Sequence, residues 1–471
     1  MLLKTRKQTL LKTETTCQIM ANMENVNITY LIENATIVNE GKVYKSSVLV
    51  QDGIIKEISE NIPSTEEMLV INAEGLLLLP GVVDTHVHFR DPGVTHKADF
   101  FTESCAAVAG GVTSVVDMPN TNPLTITEEY LDEKMDIASE KSLVNYGFML
   151  GATNTNIDEI LKVSANKYAA IKLFMGSSTG NMLVNRLSVL EKLFQEANKL
   201  IVAHCEDEET IRLNTQKYKE MYAEKDAPAS LHPIVRSEEA CYLSTKLAVD
   251  MAKKYGTKLH VAHISTAKEL ELFSKDALIN KNITAEVTPN HLWFTSEDYD
   301  IYGNLIRVNP AIKTAADKDV LLMAMNENLI DTVATDHAPH LKEEKERPYF
   351  SSVSGMPSIQ HSLLMMLEMW KNGKTSLENI VEKMCHNPAI LFNIRKRGFI
   401  REGMYADLVL VNTNESTTVK TDNILYKCGW SPVEGYTFGS KVEKTFVNGV
   451  LKYDNDSIIN KTKGLPLEYG N

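Results

Sequence analysis

The sequence lacks the cysteine patterns, the long apolar runs and the basic excess that mark several protein classes. Six cysteines stand at positions 17, 105, 205, 241, 385 and 428 of 471 residues, with no C-x-x-C pair. Neither a disulfide framework nor a zinc ribbon is indicated, and reduced thiols in a cytoplasmic protein are the economical interpretation. No run of about eighteen apolar residues occurs, which argues against a membrane span. The formal net charge is −13, so nucleic acid and anionic membranes are not expected partners.

The N-terminal segment, residues 1–26, carries several basic side chains but no apolar stretch long enough for a signal peptide. We expect a disordered leader there, and Met20 and Met23 offer alternative starts. The whole chain is 43% hydrophobic and 24% charged, which is ordinary for a globular enzyme with a large core.

Two short strand-rich pieces flank the chain. Near the start, TYLIENATIV and SSVLVQDGIIKEI surround a hairpin signal at Asp52-Gly53. Near the end, ADLVLVN and KTFVNGVLKY show the same pattern around Asn448-Gly449. Each piece is too small to bury a core alone. We therefore infer that residues 27–80 and 398–455 pair into one composite β-sandwich, which leaves residues 456–471 as a C-terminal tail.

Between the flanks, residues 81–397 alternate strand-length apolar runs with helix-period segments such as SVLEKLFQEANK. The runs are nearly continuous in Val, Ile, Leu and Ala, as in a buried parallel sheet. They are GVVDTHVHF, GVTSVVDMP, NYGFMLGA, YAAIKLFM, KLIVAHCE, TKLHVAHIS, ITAEVTPNH and IDTVATDHAPH. Eight alternations favour an α/β fold with a closed (β/α)₈ barrel over an open doubly wound sheet.

Polar side chains stand at or just past the C-terminal ends of these runs. They are His86, His88, Asn120, Lys172, His204, His263, Asp336 and His340. In a barrel those ends meet on one face, where active sites are built from several strands. We therefore expect these side chains to share one pocket.

The histidines and the aspartate of this set predict a metal site. His86 and His88 stand two residues apart on one strand, which places both imidazoles on the same side. Neutral imidazole is a common ligand of zinc-like ions. An H-x-H pair alone is weak evidence, but His204, His263 and Asp336 add ligands at the ends of three other strands.

Lys172 lies in AAIKLFMG, an apolar strand interior where a protonated ammonium is costly to bury. It could pair with a buried carboxylate or extend its amine outward. We favour a third interpretation, in which burial and adjacent cations lower its pKa and the neutral amine reacts with carbon dioxide. The resulting carbamate can bridge two divalent ions. Water held between such ions becomes hydroxide near neutral pH, and Asp336 can accept its proton and pass it to the leaving nitrogen.

Taken in order, GVVDTHVHFRDPG, DMPNTNP, AAIKLFM, VAHCE, VAHIST and ATDHAPH resemble the motifs of the cyclic amidohydrolases, most closely those of the dihydroorotases. The resemblance covers roughly residues 28–455. It implies a (β/α)₈ barrel with a small β-sandwich formed by both flanks, and a homodimer as a possible assembly.

The resemblance also implies a role for each residue of the set. Six side chains would ligate two zinc ions: His86, His88, Lys172, His204, His263 and Asp336. His86 and His88 would bind one ion, and His204 and His263 the other. Lys172, as N6-carboxylysine, would bridge the two ions together with a hydroxide. Asp336 would be the remaining ligand and the general base.

The substrate contacts implied by the resemblance come from His88, Arg90, Asn120, Asn309 and His340. Arg90 and Asn120 would bind the acid group, and Asn309 and His340 would contact the ring and its amides. Arg90 can hold a carboxylate with its guanidinium fork, although an ion pair with Asp91 or Asp99 is the simpler alternative. The implied reaction is the reversible cyclisation of N-carbamoyl-L-aspartate to L-dihydroorotate in pyrimidine (UMP) synthesis.

Two alternatives remain open at this point. The chain could be a hydantoinase or allantoinase acting on another cyclic ureide, or a non-catalytic relative that serves as a binding partner. The polar segment at residues 341–357 aligns with no motif, so it is either a loop that closes over the substrate or a surface excursion.

Overall fold

The computed structural model describes residues 28–176, 182–222 and 227–470. The leader predicted for residues 1–26 lies outside these ranges. Within them, no helix is both long and apolar enough to cross a membrane.

The strands form two β units of different character. In chain order they are β1 (Thr29–Asn39), β2 (Lys42–Gln51), β3 (Ile54–Ser59), β4 (Met68–Asn72), β5 (Leu76–Pro80), β6 (Val82–Val87), β7 (Val112–Asp117), β8 (Asn145–Phe148), β9 (Leu150–Gly151), β10 (Ile171–Phe174), β11 (Ile201–His204), β12 (Leu259–Val261), β13 (Ile283–Val287), β14 (Thr332–Val333), β15 (Leu408–Asn412), β16 (Thr417–Thr418), β17 (Thr437–Phe438), β18 (Lys441–Val447), β19 (Val450–Asp454) and β20 (Ser457–Ile458).

The helices fall mainly between the parallel strands. They are α1 (Phe100–Ala109), α2 (Glu128–Lys141), α3 (Ile157–Ile160), α4 (Leu187–Glu196), α5 (Glu208–Met221), α6 (His232–Val235), α7 (Glu238–Tyr255), α8 (Pro289–Trp293), α9 (Tyr299–Tyr302), α10 (Ala315–Asn326), α11 (Lys342–Lys345), α12 (Ser362–Lys371), α13 (Leu377–Val381) and α14 (Asn387–Leu391). Short 3₁₀ helices cover Ala229–Leu231, Lys268–Leu272, Leu278–Asn280, Ser296–Asp298, Gly303–Ile306, Tyr349–Ser351 and Thr421–Asn423, and Glu382–His386 forms a π-helical turn.

Strands β6 to β14 form the barrel that the eight apolar runs predict. β6, β7 and β8 pair in parallel, and β9 to β14 pair in parallel in chain order. β8 and β9 are one strand interrupted at Met149. A parallel bridge between Val87 and His337, with the amide of His88 donating to the His337 carbonyl at 2.8 Å, joins the last strand to the first. The ring is thereby closed, and the fold is a (β/α)₈ barrel.

Local sequence explains where the longer helices begin and end. Asp99 caps α1 by accepting a hydrogen bond from the amide of Thr102, and Ser237 caps α7 in the same way through the amide of Ala240. Such caps satisfy amides that have no partner inside the helix. α7 ends at Gly256, which adopts the left-handed conformation that glycine tolerates best.

Strands from both ends of the chain form one mixed sheet. Its order is β20-β19-β18-β15-β5-β1-β2-β3, with β4 paired to β1. The junction is antiparallel, with Leu408 of β15 opposite Pro80 of β5. This pairing agrees with the composite β unit inferred from the sequence, and we propose residues 27–80 and 398–455 as its bounds around a barrel of residues 81–397.

Apolar side chains fill the barrel below the site. Ala170 and Val202 precede Lys172 and His204 by two residues, so they point to the same side of their strands. They cluster with Phe392 of the segment after α14 and with side chains of the C-terminal tail, Leu467 and Tyr469. Leu467 and Tyr469 of the proposed tail thus pack against the barrel, whereas Ser457–Ile458 extend the mixed sheet as β20.

Candidate active site

A cavity of about 440 Å³ opens at the C-terminal ends of the barrel strands. All the site residues proposed from the sequence line it: His86, His88, Arg90, Asn120, Lys172, His204, His263, Asn309, Asp336 and His340. They come from seven different strands or the loops after them. The convergence expected from the strand ends is therefore present in the structure.

His86, His88 and Asp336 form one side of the cavity. The Oδ1 atom of Asp336 lies 3.0 Å from His88 Nε2 and 3.4 Å from His86 Nε2. His86, His263 and Asp336 can each direct one ligand atom to a common point, with these atoms within 4.8 Å of one another. Burial opposes ionisation of Asp336, but the surrounding histidines outweigh it and hold the pKa of its carboxyl below the usual range.

His204 and His263 form a second pair of nitrogen donors. His204 Nδ1 and His263 Nε2 lie 3.0 Å apart, and the ring centroids are 4.6 Å apart. Burial lowers the pKa of His204 and lowers the pKa of His263 well below its usual value, which favours the neutral form of both rings. Two neutral imidazoles that turn ring nitrogens towards each other are suited to sharing a cation.

Lys172 is completely buried, and its Nζ has no hydrogen-bond partner among the described residues. Burial lowers the pKa of its amine to about 8, although the carboxylates of Glu286 and Asp336 act in the opposite direction. The ammonium neither reaches solvent nor forms an ion pair within the described ranges. Among the described residues Lys172 therefore has neither the carboxylate partner nor the outward path of the two simpler interpretations, and it lines the cavity.

Three cavity residues adopt a left-handed backbone. The φ angles are 63° for Arg90, 38° for His263 and 47° for Asp336. This region is uncommon for residues with a side chain and clusters at functional sites, where the surrounding structure holds it in place. Here each residue stands two or three positions after the end of a barrel strand, and the turn directs its side chain into the cavity.

Two buried carboxylates that sequence reasoning missed orient the histidines. Glu286 lies with Oε1 2.7 Å from His86 Nδ1, and it also accepts the backbone amide of His263 at 3.1 Å. Glu206 lies with Oε2 2.8 Å from His204 Nε2 and pairs with Arg236, which lines the cavity. Such carboxylates fix the ring orientation of ligating histidines.

Both carboxylates left a signal in the sequence. Glu286 interrupts the apolar strand ITAEV, and Glu206 stands two residues after His204, on the same side of the chain. An acidic residue at such a place requires a buried partner. Burial opposes the ionisation of Glu206, but Arg236 and His204 lower its pKa to about 2.

Arg90 has no carboxylate partner among the described residues, although two acidic residues follow it closely. Asp91 pairs with Lys141 at 2.7 Å, and Asp99 pairs with Lys427 at 2.6 Å. The simpler alternative for Arg90 is therefore not the one in the structure. Its Nε donates to the Pro339 carbonyl at 3.3 Å, and its Nη2 lies 3.2 Å from His340 Nε2.

Asn120 and Asn309 complete the polar rim of the cavity. Asn120 Oδ1 lies 2.7 Å from His88 Nδ1, which holds that ring with Nε2 turned towards Asp336. Asn309 Oδ1 lies 3.1 Å from Nε2 of the buried His232. Asn290 and His291, in α8 just after β13, are buried. Asn290 is hydrogen-bonded to Ser358, and His291 to the Pro310 carbonyl.

The polar segment at residues 341–357 contributes to the cavity wall. Val353, Ser354 and Gly355 line the cavity, although the sequence placed no residue of this segment in the site. Lys345 of α11 is buried, and its Nζ donates to the Arg307 carbonyl at 2.8 Å and the Gly355 carbonyl at 2.7 Å. The run KEEK is typical of a solvent-exposed helix face, so the sequence gives no sign that Lys345 is buried.

Comparison with known proteins places the chain in a family. The profile of the amidohydrolase family matches residues 77–452. A dihydroorotase from Methanosphaera stadtmanae is 33% identical over 413 residues, which are 87% of this chain and 94% of that protein. A dihydroorotase from Pyrococcus abyssi is 32% identical over 429 residues, which are 90% of this chain and 95% of that protein.

Solved structures give the same fold. An L-hydantoinase (dihydropyrimidinase) from Arthrobacter aurescens superimposes with a TM-score of 0.88 at 26% identity, covering 94% of this chain and 100% of that one. A dihydropyrimidinase from Brevibacillus agri NCHU1002 has a TM-score of 0.85 at 24% identity, covering 94% of this chain and 100% of that one. At that identity the similarity supports the fold alone. The chain belongs to the amidohydrolase family and, within it, groups by sequence with the dihydroorotases.

Proposed function

We propose that the protein is a dihydroorotase, which catalyses the reversible cyclisation of N-carbamoyl-L-aspartate to L-dihydroorotate in pyrimidine synthesis. The observation that carries this proposal is the position of Arg90. Its guanidinium lines the same cavity as the histidine and aspartate cluster and has no carboxylate partner among the described residues. The sequence relatives named dihydroorotase support the same substrate.

The cavity residues fit two divalent cations, which we propose to be zinc. Lys172 Nζ and His263 Nδ1 are buried polar atoms without a hydrogen-bond partner among the described residues, and imidazole nitrogens and carboxylate oxygens are the donors zinc accepts. His86, His88 and Asp336 would hold one ion, His204 and His263 the other, and a carbamate on Lys172 would bridge them. Bound ions of this kind lower the pKa of water and polarise the ring amide carbonyl.

The chain's own residues supply positioning and proton transfer. Arg90 and Asn120 would bind the substrate carboxylate and thereby place the ring amide towards Asp336. The resemblance implies that His340 contacts the ring and its amides, but its Nε2 lies 3.2 Å from Arg90 Nη2, so we propose that it joins them at the carboxylate. In the hydrolytic direction Asp336 takes the proton of the attacking water and delivers it to the departing nitrogen, and it returns that proton in the cyclising direction. Its low pKa keeps it available as a base over the whole neutral range.

The direct test is an assay of the purified protein with four cyclic substrates in parallel. We expect turnover of L-dihydroorotate to exceed that of dihydrouracil, hydantoin and allantoin. Turnover of hydantoin or allantoin without dihydroorotate would select the hydantoinase or allantoinase alternative. Metal analysis accompanies the assay, because a content well under one ion per chain together with no turnover would favour the non-catalytic alternative.

We also propose that the protein acts in the cytoplasm, and that it forms the homodimer that the family resemblance implies. The cysteines within the described ranges are all unpaired, which suits a reducing compartment. Light scattering of the purified protein tests the assembly, and a mass of one chain of 52.7 kDa would contradict it.

A further inference from the structure

A largely buried pair of charges lies directly behind the carboxylate-binding side of the cavity. Lys97 follows the HFRDPG motif, and its Nζ pairs with Glu344 Oε1 at 2.8 Å. The two side chains are 11% and 15% exposed. The same Nζ lies 3.0 Å from His340 Nδ1. Lys97 is not one of the described residues that line the cavity, and its contact with a lining residue is the one with the ring of His340.

Each nitrogen of the His340 ring faces a cation within hydrogen-bond distance, and Glu344 Oε2 lies farther from Nδ1, at 3.7 Å. Arg90 Nη2 lies 3.2 Å from Nε2, and Lys97 Nζ lies 3.0 Å from Nδ1. A guanidinium and an ammonium have hydrogen-bond donors only, whereas a neutral imidazole offers a single lone pair. The two cations compete for that lone pair, and the outcome decides which ring nitrogen carries the hydrogen.

We propose that Lys97 is a positioning residue that holds His340 in the tautomer with its hydrogen on Nε2, and so favours substrates that carry a carboxylate. The inference rests on the proposed function. A substrate carboxylate takes over the Arg90 donors, which frees Nε2 of His340 from the guanidinium. Lys97 then donates to Nδ1, and the Nε2 hydrogen bonds to the same carboxylate. The ion pair with Glu344 holds the Lys97 side chain where its ammonium is directed at the ring.

Lys97→Met removes the donor behind Nδ1 and leaves the cavity wall in place. With L-dihydroorotate we expect KM to rise about tenfold to thirtyfold and kcat to change less than about threefold, the loss of one charge-assisted hydrogen bond. Dihydrouracil, which lacks the carboxylate, should be hydrolysed as by the unaltered protein. Lys97→Arg keeps a cationic donor and should recover most of the loss.

Lys141→Met is the matched control. Lys141 pairs with Asp91 of the same segment, is 43% exposed and lies outside the His340 contacts. Equal losses on both substrates in Lys97→Met, or kinetics equal to those of Lys141→Met, overturn the proposal. Wild-type protein that does not turn over dihydroorotate at all overturns the proposed function and this inference together. Normal wild-type turnover with an unaffected Lys97→Met overturns this inference alone.

A measurement on the unaltered protein covers the case in which Lys97→Met fails to fold. Nitrogen NMR of ¹⁵N-histidine-labelled protein, saturated with the equilibrium mixture of N-carbamoyl-L-aspartate and L-dihydroorotate, reports the tautomer of each ring. The signals of His340 are those missing in His340→Gln. We expect the hydrogen on Nε2, and a hydrogen on Nδ1 in the saturated protein overturns the proposal.

Discussion

Lys172 and Arg90 are cationic side chains of the cavity that have no carboxylate partner among the described residues. Among the described residues, Asp336 and Glu208 bring negative charge to the lining of this cavity, and Glu206 and Glu286 lie behind the histidines. A charge left in this way at a buried position is costly unless a ligand compensates it. The two residues are therefore the most informative single positions for mutation.

Replacing Lys172 should remove both activity and metal. We expect Lys172→Met to lower kcat by about a thousandfold, because a metal ion contributes several kcal/mol of transition-state stabilisation. Elemental analysis should show fewer ions per chain than in the wild type. Lys199→Met is the control: Lys199 donates to the Ala165 carbonyl outside the cavity. Full metal content and activity in Lys172→Met would contradict the bridging role.

Replacing Arg90 should separate the substrates. Arg90→Met removes a bidentate carboxylate contact worth about 3 kcal/mol, so kcat/KM for dihydroorotate should fall about a hundredfold. The value for dihydrouracil should change little. Arg401→Met, which removes an exposed guanidinium paired with Glu40 in the β unit, should leave both values unchanged. A similar loss of kcat/KM with both substrates would show that Arg90 does not bind the carboxylate.

At the scale of elements, β7 and α2 are joined by a buried ion pair beneath the carboxylate-binding residues. Lys134 of α2 is fully buried and lies 2.5 Å from Asp117 Oδ2 at the end of β7. It also donates to the Met118 carbonyl at 2.7 Å, and Asp117 Oδ1 accepts the amide of Phe89 at 2.6 Å. The Lys134–Asp117 ion pair thus fixes the positions of the segments that carry Arg90 and Asn120.

Breaking this pair should be costly because it leaves a buried carboxylate alone. We expect Lys134→Met to lower the free energy of unfolding by about 3–5 kcal/mol, measured by urea denaturation. Lys167→Met removes a lysine that is 40% exposed and paired with Glu128 and Asp132 of the same helix. Its expected cost is below about 1 kcal/mol. Equal costs for the two variants would mean that burial does not govern the pair.

The elements also show what sequence could and could not predict. The barrel strands were predictable because each is a short apolar run, and the site was predictable because histidines or an aspartate end those runs. Glu206 and Glu286 were not predicted as site residues. The partner of Glu286 comes from a distant part of the chain, and the contact of Glu206 with His204 depends on how the chain turns after a single strand. Lys97 and Lys345 escaped because nothing in the spacing of a lysine among polar residues reports that its ammonium is buried.

At the scale of the whole molecule, several histidines outside the cavity are buried in the neutral form. Burial lowers the pKa of His361 to about 3 and the pKa of His291 to about 4, from a usual value of 6.5. The unfolded chain therefore binds protons before the folded one. The stabilisation is complete above about pH 6.5 and is lost as the pH falls towards the folded values.

The free energy of unfolding should accordingly decrease as the pH is lowered from 6.5 to 5. Each such histidine contributes a slope of up to about 1.4 kcal/mol per pH unit. His361→Asn keeps a polar group near Tyr426 and Ser431, which contact Nδ1, and should reduce the slope by up to that amount. Substituting the exposed His96 with asparagine is the control. An unchanged slope in His361→Asn would contradict the assignment.

The antiparallel pairing of β5 with β15 joins Pro80 to Leu408 and so spans the entire barrel sequence. During synthesis, the strands of the N-terminal flank leave the ribosome long before β15 is made. The edge of β5 that pairs with β15 therefore stays unpaired while every barrel strand is synthesised. Contacts of such long range slow folding and prolong the exposure of unpaired backbone. Nascent chains truncated before residue 408 should therefore recruit holding chaperones, and release should coincide with the emergence of β15.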